Sequence, residues 1–118
     1  MPLSLSPAPD MLATIRDYLE TEILPGLSDD KWFNVKVGVN MLAMVERELR
    51  LGPAADEAEH ARLAALLGTE GSLEELNQML VEAIREGRIA LDDPPLLDHL
   101  QQTTADALRI NNPQRLPQ

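Results

Sequence analysis

Apolar residues recur at steps of three and four along most of the chain, the spacing that places side chains on one face of an α-helix. The first such segment follows Asp10 and ends at Pro25-Gly26. The same spacing continues in four further segments, at about residues 30–51, 54–67, 73–86 and 94–112. The sequence therefore predicts an all-α fold, an antiparallel helical bundle of about five helices joined by short loops.

The second predicted helix, at about residues 30–51, is the most apolar segment of the chain. Its two apolar stripes consist of Val35, Val39, Leu42, Val45 and Leu49 and of Phe33, Val37, Met41 and Met44. Because both stripes need cover, we predict that this helix is central and that Leu42 is among the most buried residues. Gly38 costs about 1 kcal/mol relative to alanine inside a helix, which indicates a close helix approach.

Helix start and stop signals separate the predicted helices. Gly52-Pro53 is expected to end the second helix, because proline lacks the N–H that a helix interior needs. Ser72 and Glu75 have the spacing of a capping box, which marks the start of the fourth helix. Asp92-Asp93 before Pro94-Pro95 predicts the start of the fifth helix.

The length of 118 residues suits one hydrophobic core and is too short for two self-sufficient ones. We predict a flexible N-terminal arm at residues 1–9, where three prolines interrupt any periodic pattern. The helical bundle domain is predicted to occupy residues 10–112, and residues 113–118 are predicted to form a flexible C-terminal tail.

Composition and charge narrow the classes of function. The 20 acidic residues against 10 basic ones give a formal charge of −10, which repels nucleic-acid phosphates and anionic lipid surfaces. The sequence has neither a run of about 18 apolar residues nor the pattern of a secretory signal. The absence of cysteine rules out disulfides and thiolate sites. We expect an acidic, cytoplasmic protein whose partners include neither nucleic acid nor membrane.

Histidines and carboxylates are weak candidates for chemistry. Glu57 and His60 lie one turn apart, a pattern that di-metal bundles use on two helices, but Leu96 stands three residues before His99. His99 beside Asp98 is expected to be a surface or boundary histidine. The sequence shows no phosphate-binding loop, catalytic-triad spacing or HExxH helix. We therefore predict no catalytic residue, no cofactor and no metal site.

Two small groups of residues are candidates for binding. Trp32 and Phe33, at the start of the second helix, either seal the end of the bundle or anchor a partner protein. Asn40 is a polar residue in the most apolar helix, so we expect it to bond to another helix or to line an interhelical pocket. We predict that three methionines complete the lining of such a pocket: Met41, Met44 and Met79. Methionine side chains adapt to apolar ligands, although they more often fill gaps in a core.

Four stretches of the chain resemble a bacterial family of unknown function. They are residues 11–20, residues 37–53 with Asn40 and Val45–Leu49, the turn Leu91–Pro94 and the closing Asn112-Pro113. The resemblance implies a small helical domain of the kind encoded beside, or fused to, aminoglycoside-phosphotransferase-like kinases and acyl-CoA dehydrogenases. The chain departs from the family pattern at Asn34 and Asn111, where the family has histidine and aspartate. The implied role is an accessory one in acyl-CoA or phosphoryl metabolism, without catalytic residues.

Two hypotheses about function follow. The favoured one is a non-catalytic interaction or accessory module that docks on a partner enzyme, kinase-like or acyl-CoA dehydrogenase-like, or that self-associates. The alternative is a small-molecule or acyl-chain binding protein that uses an interhelical pocket around Asn40. A pocket of on the order of a few hundred Å³ with convergent polar groups favours the binding protein, whereas a packed interior with an exposed apolar patch favours the module.

Overall fold

A computed structural model describes residues 7–116, and within this range the protein consists of helices, helical turns and loops without a β-strand. The prediction of an all-α fold is confirmed. The four α-helices are α1 (Ala8–Tyr18), α2 (Asp29–Leu67), α3 (Leu73–Arg85) and α4 (Pro94–Asn111). The described chain divides into two compact units, a first unit of residues 7–52 with 110–112 and a second unit of residues 53–109 with 113–116.

The second and third predicted helices are one helix. α2 runs through Gly52 and Pro53 and is 39 residues long, so the prediction of a helix end at this pair is wrong. A proline removes one backbone donor, here the one that would bond to the carbonyl of Leu49, and crowds that carbonyl. The helix continues because the turns on either side stay bonded. The five predicted helices are therefore four.

The two units replace the single core that the length of the chain predicted. A helix of about 20 residues already spans a small domain, so one small core cannot cover a helix of 39 residues. The residues of α2 before Pro53 belong to the first unit, and those from Pro53 onward belong to the second unit. The central position of the helix in a bundle stays a prediction.

The first unit begins with α1 at Ala8, within the predicted arm of residues 1–9, whose flexibility stays a prediction; residues 1–6 lie outside the described range. A π-helical turn, Leu19–Ile23, and a 3₁₀ turn, Leu24–Gly26, follow α1 directly. The segment ends at the predicted Pro25-Gly26 stop. α2 then starts at Asp29, one residue before the predicted start at about residue 30.

Few side chains of the first unit are removed from water. Among its described residues only Leu24 and Val39 are buried, and Leu42, predicted to be among the most buried, is half-buried. The prediction that both apolar stripes of the helix are covered is wrong in this unit. The reason is that ion pairs hold α1 against one side of α2, which leaves the opposite side without cover.

The second unit contains a core of leucines. One residue of α2, two of α3 and one of α4 form a buried cluster, namely Leu63, Leu76, Leu80 and Leu96. Half-buried apolar residues of α2, of α3 and of the loop after α3 pack around it. Each fully buried leucine contributes about 1.5–3 kcal/mol of hydrophobic stabilisation, so this cluster holds the three helical segments together.

Most helix ends of the second unit are the predicted ones. Ser72 and Glu75 form the capping box: the Glu75 N–H donates to Ser72 Oγ over 3.1 Å, and the Ser72 N–H donates to Glu75 Oε1 over 2.9 Å. Asp93 caps α4 by accepting a hydrogen bond from the N–H of Leu96. Gly68 ends α2 with φ of 66°, a left-handed conformation that favours glycine.

The C-terminal segment continues past α4. Pro113–Arg115 forms a 3₁₀ turn, where the sequence predicted a flexible tail beginning at residue 113. Residues 117–118 of that predicted tail lie outside the described range. The predicted stop of the last helix at Asn112-Pro113 is confirmed, since α4 ends at Asn111.

Candidate functional site

An exposed line of apolar side chains follows the N-terminal part of α2. Its five residues are each separated by four positions and are 40–57% exposed, the most exposed being the central one: Phe33, Val37, Met41, Val45 and Leu49. We call this set the α2 ridge. Residues four apart form the principal surface row of an α-helix, the row that packs into the groove of a second helix in the commonest type of helix pair.

Charged residues of the first unit lie on the side of α2 that meets α1. Glu46 is the centre of this network, since Oε1 accepts from Arg16 Nη2 over 3.0 Å and Oε2 accepts from Arg50 Nε over 3.0 Å. Arg50 also donates to Asp10 over 2.9 Å, and Arg16 donates to Glu20 over 3.1 Å. The charges of this network are therefore paired with one another on the α1 side of α2, and the α2 ridge lies on the other side.

The electrostatics of the network follow from these bonds. Hydrogen bonds from Arg50 and then from Arg16 lower the pKa of Glu46, and burial opposes this effect. Hydrogen bonds to Asp10 and then to Glu46 raise the pKa of Arg50. Glu46 and Arg50 are therefore both charged at neutral pH. The network positions α1 on α2 and offers no free acid or base for catalysis.

The predicted interface residues Trp32 and Phe33 are both exposed, at 42% and 53%. They do not share a face, because successive residues of an α-helix are about 100° apart. Phe33 is the first residue of the α2 ridge, whereas Trp32 lies away from it. Sequence reasoning assigned the ridge residues to two separate stripes that were both to be covered, and so it missed the ridge as a surface.

The predicted pocket residues lie at the surface. Asn40 is exposed, so the prediction that this amide is buried is wrong; it occupies an exposed helix position beside the α2 ridge. Met41 is 57% exposed and belongs to the ridge, and Met44 is half-buried. Met79 is exposed on α3 in the second unit. A ligand site made of these residues stays a prediction.

An apolar groove of about 660 Å³ runs along α4 in the second unit. Its apolar lining includes Leu97 and Leu100, both more than 40% exposed, and continues to Leu108. Arg115 and Leu116 from the C-terminal segment line it as well. The α4 residues that line the groove recur at steps of three and four. This spacing is visible in the sequence, but there it predicted only a helix and not a groove.

A smaller groove of about 240 Å³ in the same unit contains Arg62 and His99. His99 is 3% exposed, so the prediction of a surface or boundary position is wrong. Arg62 donates from Nε to His99 Nδ1 over 3.1 Å and from Nη2 to Thr103 Oγ1 over 3.1 Å. Burial, and then the charge of Arg62, lower the pKa of His99. The imidazole is therefore a neutral acceptor that ties α4 to α2.

The second candidate histidine also has a structural bond. His60 Nε2 lies 2.7 Å from the carbonyl oxygen of Gly71, while Glu57 is exposed one turn away. Between residues 7 and 116, no group of three His, Cys, Asp or Glu side chains is arranged to hold a metal ion. Over the same range, no helix has the length and apolar character that crossing a membrane requires.

One family model matches the chain. The family is described as Domain of unknown function (DUF6285), and the match covers residues 25–115. Three of the four stretches that carry the resemblance to a bacterial family lie within the match, and residues 11–20 lie outside it. No curated protein and no solved structure matches the chain.

Proposed function

The chain belongs to the DUF6285 family, and from the exposed α2 ridge we propose that it is a non-catalytic interaction module that binds another protein chain. The observation that carries the proposal is the ridge itself, five large apolar side chains exposed in one continuous row. Contiguous apolar surface of this kind marks interaction sites on proteins.

The small interior of the first unit supports the same conclusion. Its two buried side chains, Leu24 and Val39, supply about 2–3 kcal/mol each, whereas ordering the backbone costs about 1–2 kcal/mol per residue. A partner that covers the α2 ridge therefore adds a substantial share of the stability of this unit. Further apolar side chains of the unit are exposed on α1, namely Met11, Ile15 and Tyr18.

The internal ion pairs also support an interaction surface. Glu46 and its arginine partners occupy the α1 side of α2, so a partner on the ridge meets no unpaired charge from this network. Burying an unpaired charge costs several kcal/mol, and the paired charges of this network do not add that cost at the ridge. The resemblance to domains encoded with kinase-like and acyl-CoA dehydrogenase-like enzymes suggests those enzymes, in the cytoplasm, as candidate partners beside a second copy of the chain.

A charge placed on the ridge tests the proposal. Met41→Glu, at the most exposed ridge position, should weaken association with the partner by about tenfold or more, since a buried unpaired carboxylate is costly. Gln78→Glu adds the same charge at an exposed position of α3 and serves as the matched control. Association is measured by sedimentation of the purified protein and by co-purification with co-expressed candidate enzymes. If both variants behave like the unmodified protein in every assay, the proposal is wrong.

The α4 groove supports a second candidate function, binding of an acyl chain or another apolar small molecule. Its volume of about 660 Å³ lies within the usual range of about 300–1,000 Å³ for ligand sites. Leucines provide an apolar wall, and Arg115 supplies a cation that suits a carboxylate head group. The hypothesis of a small-molecule or acyl-chain binding protein is therefore supported by the α4 groove and no longer by the predicted pocket around Asn40.

Dodecanoate is a suitable probe for the α4 groove. Isothermal titration calorimetry should show saturable binding that Leu100→Glu abolishes, because the carboxylate enters the apolar lining. Leu91→Glu, at a leucine that is 75% exposed outside the groove lining, should leave the affinity unchanged. Equal loss in both variants, or no saturable heat in the unmodified protein, rejects this second candidate.

A further inference from the structure

We propose that the α2 ridge is covered by the α2 ridge of a second copy of this chain, with the two helices antiparallel and Met41 at the two-fold axis. This inference rests on the proposed function, which requires a protein partner on the ridge, and it names that partner.

The ridge is nearly symmetric about its centre. Val37 and Val45 stand four residues before and after Met41, and large side chains, Phe33 and Leu49, stand eight residues away. In an antiparallel pair with a two-fold axis at Met41, residue i meets residue 82 − i of the second copy, so each valine meets a valine. Each step of four residues turns about 40° around the helix. The three central residues therefore face the second copy, and Phe33 and Leu49 lie at the edges of the contact.

Gly38 provides a separate indication of a close partner. A Cβ added at this position meets no heavy atom within 4 Å, so no approach within the chain requires the glycine that the sequence pattern attributed to a neighbouring helix. The same two-fold axis places Met44 of the second copy at the level of Gly38, about 60° from Met41 on the other side of the contact, from where its long side chain reaches the glycine. A large flexible side chain then enters the gap left by a missing side chain, as helix packing of knobs into holes requires. This contact explains why the helix contains a glycine that costs about 1 kcal/mol relative to alanine.

Charge permits two copies to meet at this surface. The chain carries 20 acidic residues, yet Trp32 to Val45 includes neither aspartate nor glutamate. Two chains of charge −10 repel each other least where their carboxylates are absent. Glu46, the first acid after this stretch, is bonded to Arg16 and Arg50 on the α1 side of the helix. Glu48 is exposed, and the axis places it opposite Asn34 of the second copy, whose amide donates hydrogen bonds to a carboxylate.

The available area is that of a specific but reversible contact. Each of the five half-exposed ridge side chains presents on the order of 100 Å², so two ridges together bury about 1,000 Å². This value is the lower limit for a specific interface. We therefore expect the extent of pairing to depend on protein concentration. The affinity has to come from close packing of the two ridges rather than from the buried area.

Cysteine cross-linking tests the arrangement, because the natural chain has no cysteine. Met41→Cys should form an intermolecular disulfide under mild oxidation, since the two residues meet at the axis. Val37→Cys alone should not cross-link efficiently, whereas a mixture of Val37→Cys and Val45→Cys chains should. Gln78→Cys, at an exposed position outside the ridge, is the control and should not form the disulfide. Efficient self-cross-linking of Val37→Cys would show a parallel pair, and equal behaviour of Met41→Cys and Gln78→Cys would show no pairing at the ridge; either result overturns the proposal.

Gly38→Ala adds a test that separates pairing from folding. The alanine should stabilise the helix of the monomer by favourable propensity and weaken the dimer about tenfold, as measured by sedimentation, because it fills the gap that Met44 enters. An unchanged dimer dissociation constant would contradict the proposed packing.

The two proposals fail in different ways. If the unmodified chain is monomeric at all concentrations while Met41→Glu prevents binding of an enzyme partner, the self-pairing inference is wrong and the interaction module stands. If Met41→Glu changes neither self-association nor enzyme binding, both are wrong.

Discussion

Arg62 donates a hydrogen bond from Nε to Nδ1 of His99 over 3.1 Å, which makes a buried imidazole the acceptor of a charged donor. Because an acceptor nitrogen carries no proton, the ring is neutral and its proton lies on Nε2. The bond joins α2 to α4 beside the leucine core of the second unit. A histidine that looked like a surface or boundary residue in the sequence is thus part of the structure's interior.

The stability of the protein should fall in mild acid because of His99. Burial and the charge of Arg62 lower the pKa of this histidine, against smaller opposing effects of Glu59 and Asp98. Since the unfolded chain then binds the proton more readily, this contribution is complete above the unfolded pKa of about 6.5 and is lost as the pH falls below that value toward the folded pKa. Urea denaturation between about pH 8 and pH 5 measures this slope, and His99→Gln should reduce it. An identical slope in the variant would contradict the assignment.

Leu63→Ala should lower the free energy of unfolding by about 2–5 kcal/mol. Leu63 is completely buried in the leucine cluster, so the substitution leaves a cavity. Leu97→Ala is the matched control, because Leu97 is 46% exposed in the same unit, and it should cost less than about 1 kcal/mol. Chemical denaturation of the three proteins provides the comparison. Equal effects at the two positions would show that the core is misplaced.

Glu46→Gln should destabilise the first unit at neutral pH and have little effect in acid. Hydrogen bonds from Arg50 and Arg16 lower the pKa of Glu46, so its stabilising contribution is present above the unfolded pKa of about 4.3 and is lost as the pH falls through the folded pKa. Thermal unfolding at pH 7 and at pH 3 should show a difference in Tm that closes in acid. Glu22→Gln, at an exposed position of the same unit, should show no such difference; if it does, the effect is one of net charge.

Pro53→Ala should raise the free energy of unfolding by about 1–2 kcal/mol. Pro53 lies inside α2, where alanine restores the missing hydrogen bond and is about 3 kcal/mol more favourable than proline, although proline also restricts the unfolded chain by up to about 1 kcal/mol. Circular dichroism should show unchanged helix content and a higher denaturation midpoint. A loss of stability would indicate that the structure requires the proline conformation.

Phe33→Ala should weaken association more than Trp32→Ala, by about tenfold. Both aromatic residues are exposed, but only Phe33 belongs to the α2 ridge. Loss of apolar contact at the edge of the ridge should appear as a larger dissociation constant in sedimentation. If Trp32→Ala has the larger effect, the interaction surface lies on the side of α2 where Trp32 is found.

The parts of the fold that depend on neighbouring residues could be predicted from the sequence. The capping box of Ser72 and Glu75 and the cap at Asp93 were predicted and are present, because each needs only side chains within one helical turn. The end of α2 at Gly68 was predicted for the same reason. The end expected at Pro53 was not found, since the proline removes only one backbone hydrogen bond and the turns before and after it are helical.

The exposure of individual side chains could not be predicted in the same way. Periodicity showed that Val37, Met41 and Val45 belong to apolar rows of a helix, but the sequence did not show that α1 lies on the opposite side of that helix. Only the contacts of Glu46 with Arg16 and Arg50 place the charged side inward and leave the apolar row outward. The candidate site is thus made of residues that the pattern identified and assigned to the interior.

The sequence by itself determined that this protein is helical, where most of its helices begin and end, and that it is acidic, because periodicity, capping and charge are properties of short stretches of chain. The tertiary structure alone decided that α2 is one helix shared by two units, that His99 is buried against Arg62, and that the α2 ridge is exposed. These features depend on which residues meet across long separations in sequence. Burial and pKa follow from such contacts, and no local pattern specifies them.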